Sequence, residues 1–383
     1  MSFGAGLAHI ATTGMPIQVG ALMDGTARSA SQVGLFALVE VASLSVGMIV
    51  ISLCFAQIKP IRTAIAGAVL IALAELSLFV IQGFPAQLVL GGCAGLGFGL
   101  VYSATVAAGA SSADADRVYA VGIGGSLPLV VLVMTALPFA SVKFGALGVF
   151  PCLSGFALLC TPLFLGFKSA TSVKPVWASN PRPAIWRTAG AVGLLVIWAA
   201  FSTGTAAAYV FAERIGRSLQ ADPRDVGLIL SGGVFAGLIG AALAAVVSRR
   251  LNRSNSLIGG LAGSAMACFL IGHAAALGTF ATGVVFYWIF TMFLYCSLLT
   301  TAAMLDPSGH LGTFGSGTER FGYAVGAWIG GLLAQHVSYA STGTFGCIAC
   351  LAAVIVGLPT LFRVLTRRES IERITEAGVN ALR

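Results

Sequence analysis

Glu40 and Glu75 each lie inside a long apolar run, with no lysine, arginine or histidine close to them in sequence. An ionisable group at the centre of a membrane span costs about 2.5–3.5 kcal/mol on insertion scales, which makes it a functional candidate by default. A carboxylate in apolar surroundings with no basic partner can take up a proton when wetted from one side and release it when wetted from the other. That is the chemistry proton coupling requires. A carboxyl that stays protonated at a helix contact is the competing reading of both residues. Glu319 and Arg320 are neighbours near the start of another apolar run. They are a gating pair if the helix begins near Thr313, or a solvated interfacial pair if it begins later. His9, near one end of the first run, is a protonatable or solute-bonding group, or a histidine that bonds a backbone carbonyl.

The elements that must position these groups are membrane helices. The chain has 383 residues, of which 57% are hydrophobic and 9% charged, with a mean hydropathy of +0.95. Such a chain has too little polar surface for a soluble globule and is expected to be an all-α polytopic membrane protein. Apolar runs of about 20 residues, enough to cross a hydrocarbon core of about 30 Å as helices, recur twelve times. They are read at 3–23, 33–55, 63–82, 86–110, 118–141 and 146–167, then at 188–211, 226–247, 256–277, 280–304, 313–337 and 343–365. The first is read as a retained span, since no basic leader or cleavage pattern accompanies it.

Charge placement sets the expected topology. With the N-terminus inside, only Arg28, Lys143, Arg214, Arg217 and Arg224 of the 21 lysines and arginines fall on the outer side. That bias assigns both termini to the cytoplasm, in the cytoplasmic (inner) membrane. The net charge of +8 is therefore topological, and no nucleic-acid partner is expected. The outer residues Glu213, Arg214, Arg217, Asp222, Arg224 and Asp225 read as a solvated rim.

The two sets of six spans are related by an internal repeat at an offset of 193. Gly34 and Gly47 in SQVGLFALVEVASLSVG are answered by Gly227 and Gly240 in PRDVGLILSGGVFAGLIG, and Gly67 by Gly260. Each match sits at the same place in the same-numbered span of its half. The expected organisation is a six-helix bundle at 1–167, a basic proline-broken linker at 168–187, a second bundle at 188–365 and a cytoplasmic tail at 366–383. No cofactor or metal is expected. The eight cysteines fall in apolar runs, and Cys347-x-x-Cys350 has no second ligand pair. Neither a phosphate-binding loop nor a catalytic cluster points to an enzyme.

Six spans, a basic central loop and six more spans resemble the major facilitator superfamily over essentially the whole chain. Gly322-Tyr-Ala-Val-Gly326-Ala327-Trp-Ile-Gly330-Gly331 is similar to that family's glycine-rich helix, with alanine in place of proline. The second inner loop, GAALAAVVSRRLNR, keeps a leading glycine and three arginines, and the first, SLCFAQIKPIR, keeps only its bases. The resemblance implies twelve helices in two pseudo-symmetric bundles, and a midplane cavity lined by spans one, four, seven and ten that is exposed to each side in turn. It also sets span eleven, with Glu319 and Arg320, beside span two and Glu40.

Polar and aromatic residues fall at helical spacing on those spans. They are His9, Thr12 and Thr13 in span one; Phe98, Tyr102 and Thr105 in span four; Trp198, Ser202, Thr205 and Tyr209 in span seven; and Trp288, Thr291 and Tyr295 in span ten. Packing between helices is the alternative role for each. Together they imply a monomeric secondary transporter of a small organic solute, driven by protons. The solute is expected to be neutral, amphipathic or cationic, with a lean towards efflux. Proton-coupled uptake of a sugar or an organic or aromatic acid is the alternative, and a non-transporting membrane sensor is the alternative of another class.

Overall fold

The computed structural model describes residues 1–53, 59–110, 115–167, 190–247, 252–306, 310–357, 359 and 361. The expected linker at 168–187 and tail at 366–383 lie outside them. The described residues form α-helices with no strand. In order these are α1 (Ser2–Thr13), α2 (Met15–Thr26), α3 (Ala30–Leu53), α4 (Pro60–Val80), α5 (Phe84–Ala110), α6 (Ala115–Phe144) and α7 (Val149–Cys160). They continue with α8 (Ala191–Tyr209), α9 (Ala212–Ser218), α10 (Pro223–Val247), α11 (Arg253–Gly272), α12 (Leu277–Leu305), α13 (His310–His336) and α14 (Tyr339–Val356).

Ten of these are long and apolar enough, with their flanking turns, to cross a membrane: α3 to α8, α10 to α12, and α14. The chain is a multi-pass membrane protein. Two further stretches match expected spans: α1 with α2, interrupted at Gly14, and α13, which is 27 residues long but carries Glu319 and Arg320. Large apolar side chains such as Leu73, Leu132, Leu243 and Ile355 are exposed on the outer faces. Hydrocarbon accepts such faces, because each helix satisfies its own backbone.

The helices pack as two groups. In the first, α5 lies against α3 and α4, α4 against α7, and α1 against α6. In the second, α12 lies against α10 and α11, and α14 against α8 and α11. The groups meet where α3 packs on α13 and where α6 packs on α10.

The repeated glycines sit at these contacts. A Cβ on Gly34 of α3 would fall 3.0 Å from the Gly331 Cα of α13, and one on Gly227 of α10 would fall 2.2 Å from the Pro138 Cγ of α6. A Cβ on Gly47 would meet the Leu96 carbonyl of α5 at 3.1 Å, and one on Gly240 would meet the Ile289 carbonyl of α12 at 2.0 Å. The same residue in each half therefore makes the corresponding close approach, first between groups and then within a group.

Candidate functional site between the helix groups

The site begins with a break in the first span. Proline has no N–H, so Pro16 cannot donate to the Thr12 carbonyl four residues back. The chain bends at Gly14, and the Ile17 amide donates to the Gly14 carbonyl at 3.0 Å rather than to Thr13. Two carbonyls at the end of α1 are thus left without helical donors, and inside a membrane such groups need partners. Both find them on the other helix group. The Tyr323 hydroxyl of α13 donates to the Thr12 carbonyl at 2.9 Å, and the Tyr209 hydroxyl of α8 donates to the Thr13 carbonyl at 3.2 Å.

Beside this seam lies a cavity of about 100 Å³. It is lined from the first group by His9, Thr12 and Thr13, and from the second by residues of α8, α12 and α13. Tyr209 and Tyr287 stack with centroids 4.6 Å apart and planes at 10°, and Trp288 stands edge-on to Tyr209 at 5.5 Å. One charged pair is present. Arg320 Nη1 donates to Thr12 Oγ1 at 2.9 Å, and its Nε lies 3.2 Å from Glu319 Oε2. Both side chains are 15% exposed. At 1.5 Å per residue they stand about 15 Å along α13 from His310, more than two turns inside the helix rather than in its first turn. The arrangement offers aromatic faces for stacking and one internally neutralised pair for hydrogen bonding.

Most of the residues read from sequence come together here. Thr12, Thr13, His9, Thr205, Tyr209, Trp288, Thr291, Tyr295, Glu319 and Arg320 all line the cavity. The hydroxyls of Thr205 and Thr291 donate to their own helices, to Phe201 O at 2.9 Å and Tyr287 O at 2.6 Å, and present only lone pairs. His9 Nδ1 is 2.7 Å from the Ala5 carbonyl.

Span four is not part of the lining. Phe98 is fully buried, and Tyr102 stands behind His9, edge-on at 6.3 Å. Thr105 Oγ1 donates to Val101 O, where the bare Cα of Gly4 leaves it room. Trp198 packs against Gly315 and Tyr295, and Ser202 against Gly322. The lining also contains Phe201, Tyr287, Met292 and Tyr323, which the sequence reading lacked. Spacing carried a signal for two of them. Tyr287, Thr291 and Tyr295 are four residues apart on one face, and Tyr323 is three residues from Arg320.

Glu40 and Glu75 lie apart from the cavity. Both are fully buried, and none of their four carboxylate oxygens has a hydrogen-bond partner among the described residues.

At the far end of α2 the two groups are clamped by ion pairs. Asp24 accepts from Arg214 Nη1 at 2.6 Å and from Arg217 Nη1 at 2.5 Å, both on α9. Glu213 is buried, with Arg217 at 3.7 Å, in space left by Gly20, whose Cβ would lie 2.2 Å from Glu213 Oε2. The expected solvated rim is therefore, at these three residues, a contact between groups. The reason is that α9 folds back against α2, and Asp24 is an acid the sequence reading had not placed.

No protein-family model matches the chain, and no curated protein is similar to it in sequence. Similarity appears among solved structures. A point mutant of the nucleoside transporter NupG superposes with a TM-score of 0.77 at 9% identity, over 94% of this chain and 98% of that one. A D-xylose-proton symporter gives 0.74 at 14% identity, over 92% and 95%. The xylose transporter XylE from E. coli, in a partially occluded inward-open conformation, gives 0.70 at 13% identity, over 92% and 96%. These are transporters of the major facilitator type, and the fold of this chain is theirs.

Proposed function

We propose that this chain is a secondary active transporter that carries a small organic solute across the membrane by alternating access and draws on a proton gradient. One observation carries the reading: the cavity at Thr12 and Tyr287 is assembled from both helix groups, and its seam is made of side chains of one group bonded to backbone freed in the other. Such a seam can part when the groups rock, and a buried core cannot. The groups, 1–167 and 188–365, act as the moving bodies, joined through 168–187 and working as a monomer. The inner (cytoplasmic) membrane with both termini inside fits the distribution of lysine and arginine.

The lining suits an uncharged polar solute with a flat face, such as a sugar or a nucleoside. Stacked aromatics hold the face, and the Glu319–Arg320 pair and the threonine oxygens bond its hydroxyls. The neighbours in fold are named for nucleoside and xylose transport, and the D-xylose-proton symporter points to uptake with protons rather than efflux. Glu40, Glu75, Glu319 and His9 are the groups proposed to exchange protons, with Arg320 modulating Glu319.

A stabilisation screen of the purified protein over sugars, nucleosides, amino acids, organic acids and cationic drugs tests this. A ligand at about a hundred times its Kd stabilises the folded state by about 2.7 kcal/mol. Sugars or nucleosides are expected to raise the melting temperature, and Thr12→Val with Tyr287→Ala to abolish the rise. A response confined to multiply charged anions would overturn the solute class.

A further inference from the structure

Beside Glu40 of α3 lies Gln18 of α2, which is fully buried, as is Glu75 of α4. Gln18 sits against the Glu40 carboxylate, which in turn interacts with Glu75. Neither atom of the Gln18 amide, and none of the four carboxylate oxygens, closes a hydrogen bond within the described protein. These six buried polar atoms are left without a closed hydrogen bond, whereas buried polar groups in proteins are normally satisfied. None of the three residues lines the cavity.

Among the described residues, no positive charge compensates this cluster. Helix α5 contributes only Cys93 and Tyr102 as titratable groups, and α7 only Cys152 and Cys160. Tyr323 of α13 lies within electrostatic range of Glu40, and it is neutral. On α13, Arg320 is engaged with Glu319 and Thr12, and the histidines stand at the helix ends. On α1, His9 bonds the Ala5 carbonyl, and Asp24 at the end of α2 is held by α9. Arg28, the base nearest to Glu40 in sequence, is held by Gln87 and the Gln82 carbonyl. Two uncompensated carboxylates at this depth carry a desolvation penalty that no neighbour repays.

We propose that Gln18, Glu40 and Glu75 form one occluded site, separate from the solute cavity, that closes only with a proton on each carboxyl, oriented by the Gln18 amide. Each carboxylate takes its proton from water when wetted on one side and returns it to water on the other, and no other bond is made or broken. Gln18 is a positioning residue: its carbonyl accepts from one carboxyl and its amide donates to a carboxyl oxygen. The consequence, that two positive charges move per cycle, rests on the transporter reading. The site itself does not.

Infrared difference spectroscopy of the full chain in lipid nanodiscs at near-neutral pH reads the site without any solute, through the C=O stretch of protonated carboxyls. Glu40→Gln and Glu75→Gln are each expected to remove a different band, halving the site's carboxyl intensity, and the double variant to remove both. Gln18→Leu is expected to shift a band while its intensity stays. Replacing potassium by sodium is expected to change nothing. The same single band lost in both variants would mean one shared proton, no loss would mean ionised carboxylates, and bands erased by sodium would mean a metal cation; each overturns the proposal. The wild-type spectrum under a pH titration supplies the count if a variant fails to fold. Expected bands with no solute flux in proteoliposomes would sink the transporter reading and leave the site standing.

Discussion

The Tyr323 hydroxyl of α13 bonds the Thr12 carbonyl of α1 at 2.9 Å, and that carbonyl is free only because Pro16, four residues on, has no N–H to offer it. A single ring in the sequence thus produces the backbone acceptor through which the two helix groups touch beside the cavity.

Tyr323→Phe leaves that buried carbonyl unpaired, at a cost of about 1–3 kcal/mol to the closed arrangement. Pro16→Ala restores the missing N–H, lets α1 run on into α2 and withdraws the Thr12 carbonyl from Tyr323. Both variants are expected to weaken solute-induced stabilisation at least about fivefold in apparent affinity. An unchanged response in Pro16→Ala would show that the break does not shape the site.

Arg217→Ala and Asp24→Asn each loosen the clamp between α2 and α9. Partly exposed pairs contribute about 0.2–1 kcal/mol each, so the arrangement open at this end is expected to gain up to about fivefold in population. Spin labels at Lys143 and Ser218, both near the clamp and exposed, report the distance across it by electron–electron resonance. Longer distances should gain weight in both variants, and Arg217→Lys should restore part of the closed population.

Arg320→Lys keeps the charge and loses the geometry in which Nη1 reaches Thr12 while Nε faces Glu319, since lysine has one terminal nitrogen. Solute binding is expected to fall about tenfold, with little change in thermal stability without solute. Equal loss of both would assign the arginine to packing alone.

Glycine substitutions separate the seams from open helix surface. A Cβ on Gly240 would lie 2.0 Å from the Ile289 carbonyl, and one on Gly326 would lie 2.1 Å from the Thr203 carbonyl, whereas one on Gly232 would meet nothing within 4 Å. Gly240→Ala and Gly326→Ala must force helices apart and are expected to destabilise by about 1–3 kcal/mol. Gly232→Ala should be neutral or stabilising by up to about 1 kcal/mol. Thermal unfolding in one detergent compares the three directly.

The span pattern was legible because hydrophobic length is a property of consecutive residues, and Glu40 and Glu75 stood out as acids in runs that should have none. The cavity was legible in part. Thr12, Tyr209 and Trp288 fall on one stripe each, and helical spacing is local information. Span four misled, because Phe98, Tyr102 and Thr105 have the same spacing yet face α1 and neighbouring helices; which side of a helix meets the cavity depends on its rotation in the bundle. Arg217 was in view as a surface charge, and Asp24 was not placed at all. Nothing local pairs residues 193 positions apart, and only the fold of α9 against α2 joins them. Gln18 was missed because an amide in an apolar run carries no charge to draw the eye.

If the groups move a solute through the cavity between them at the expense of a proton gradient, proteoliposomes containing the purified chain will show it. They are given radiolabelled D-xylose or uridine and an imposed proton gradient. At least one of the two solutes is expected to accumulate above its equilibrium level. That accumulation should be abolished by a protonophore and by the Glu40→Gln, Glu75→Gln double variant, while solute binding persists. Binding without flux under any gradient, or accumulation that the double variant leaves intact, would contradict proton-driven transport by this chain.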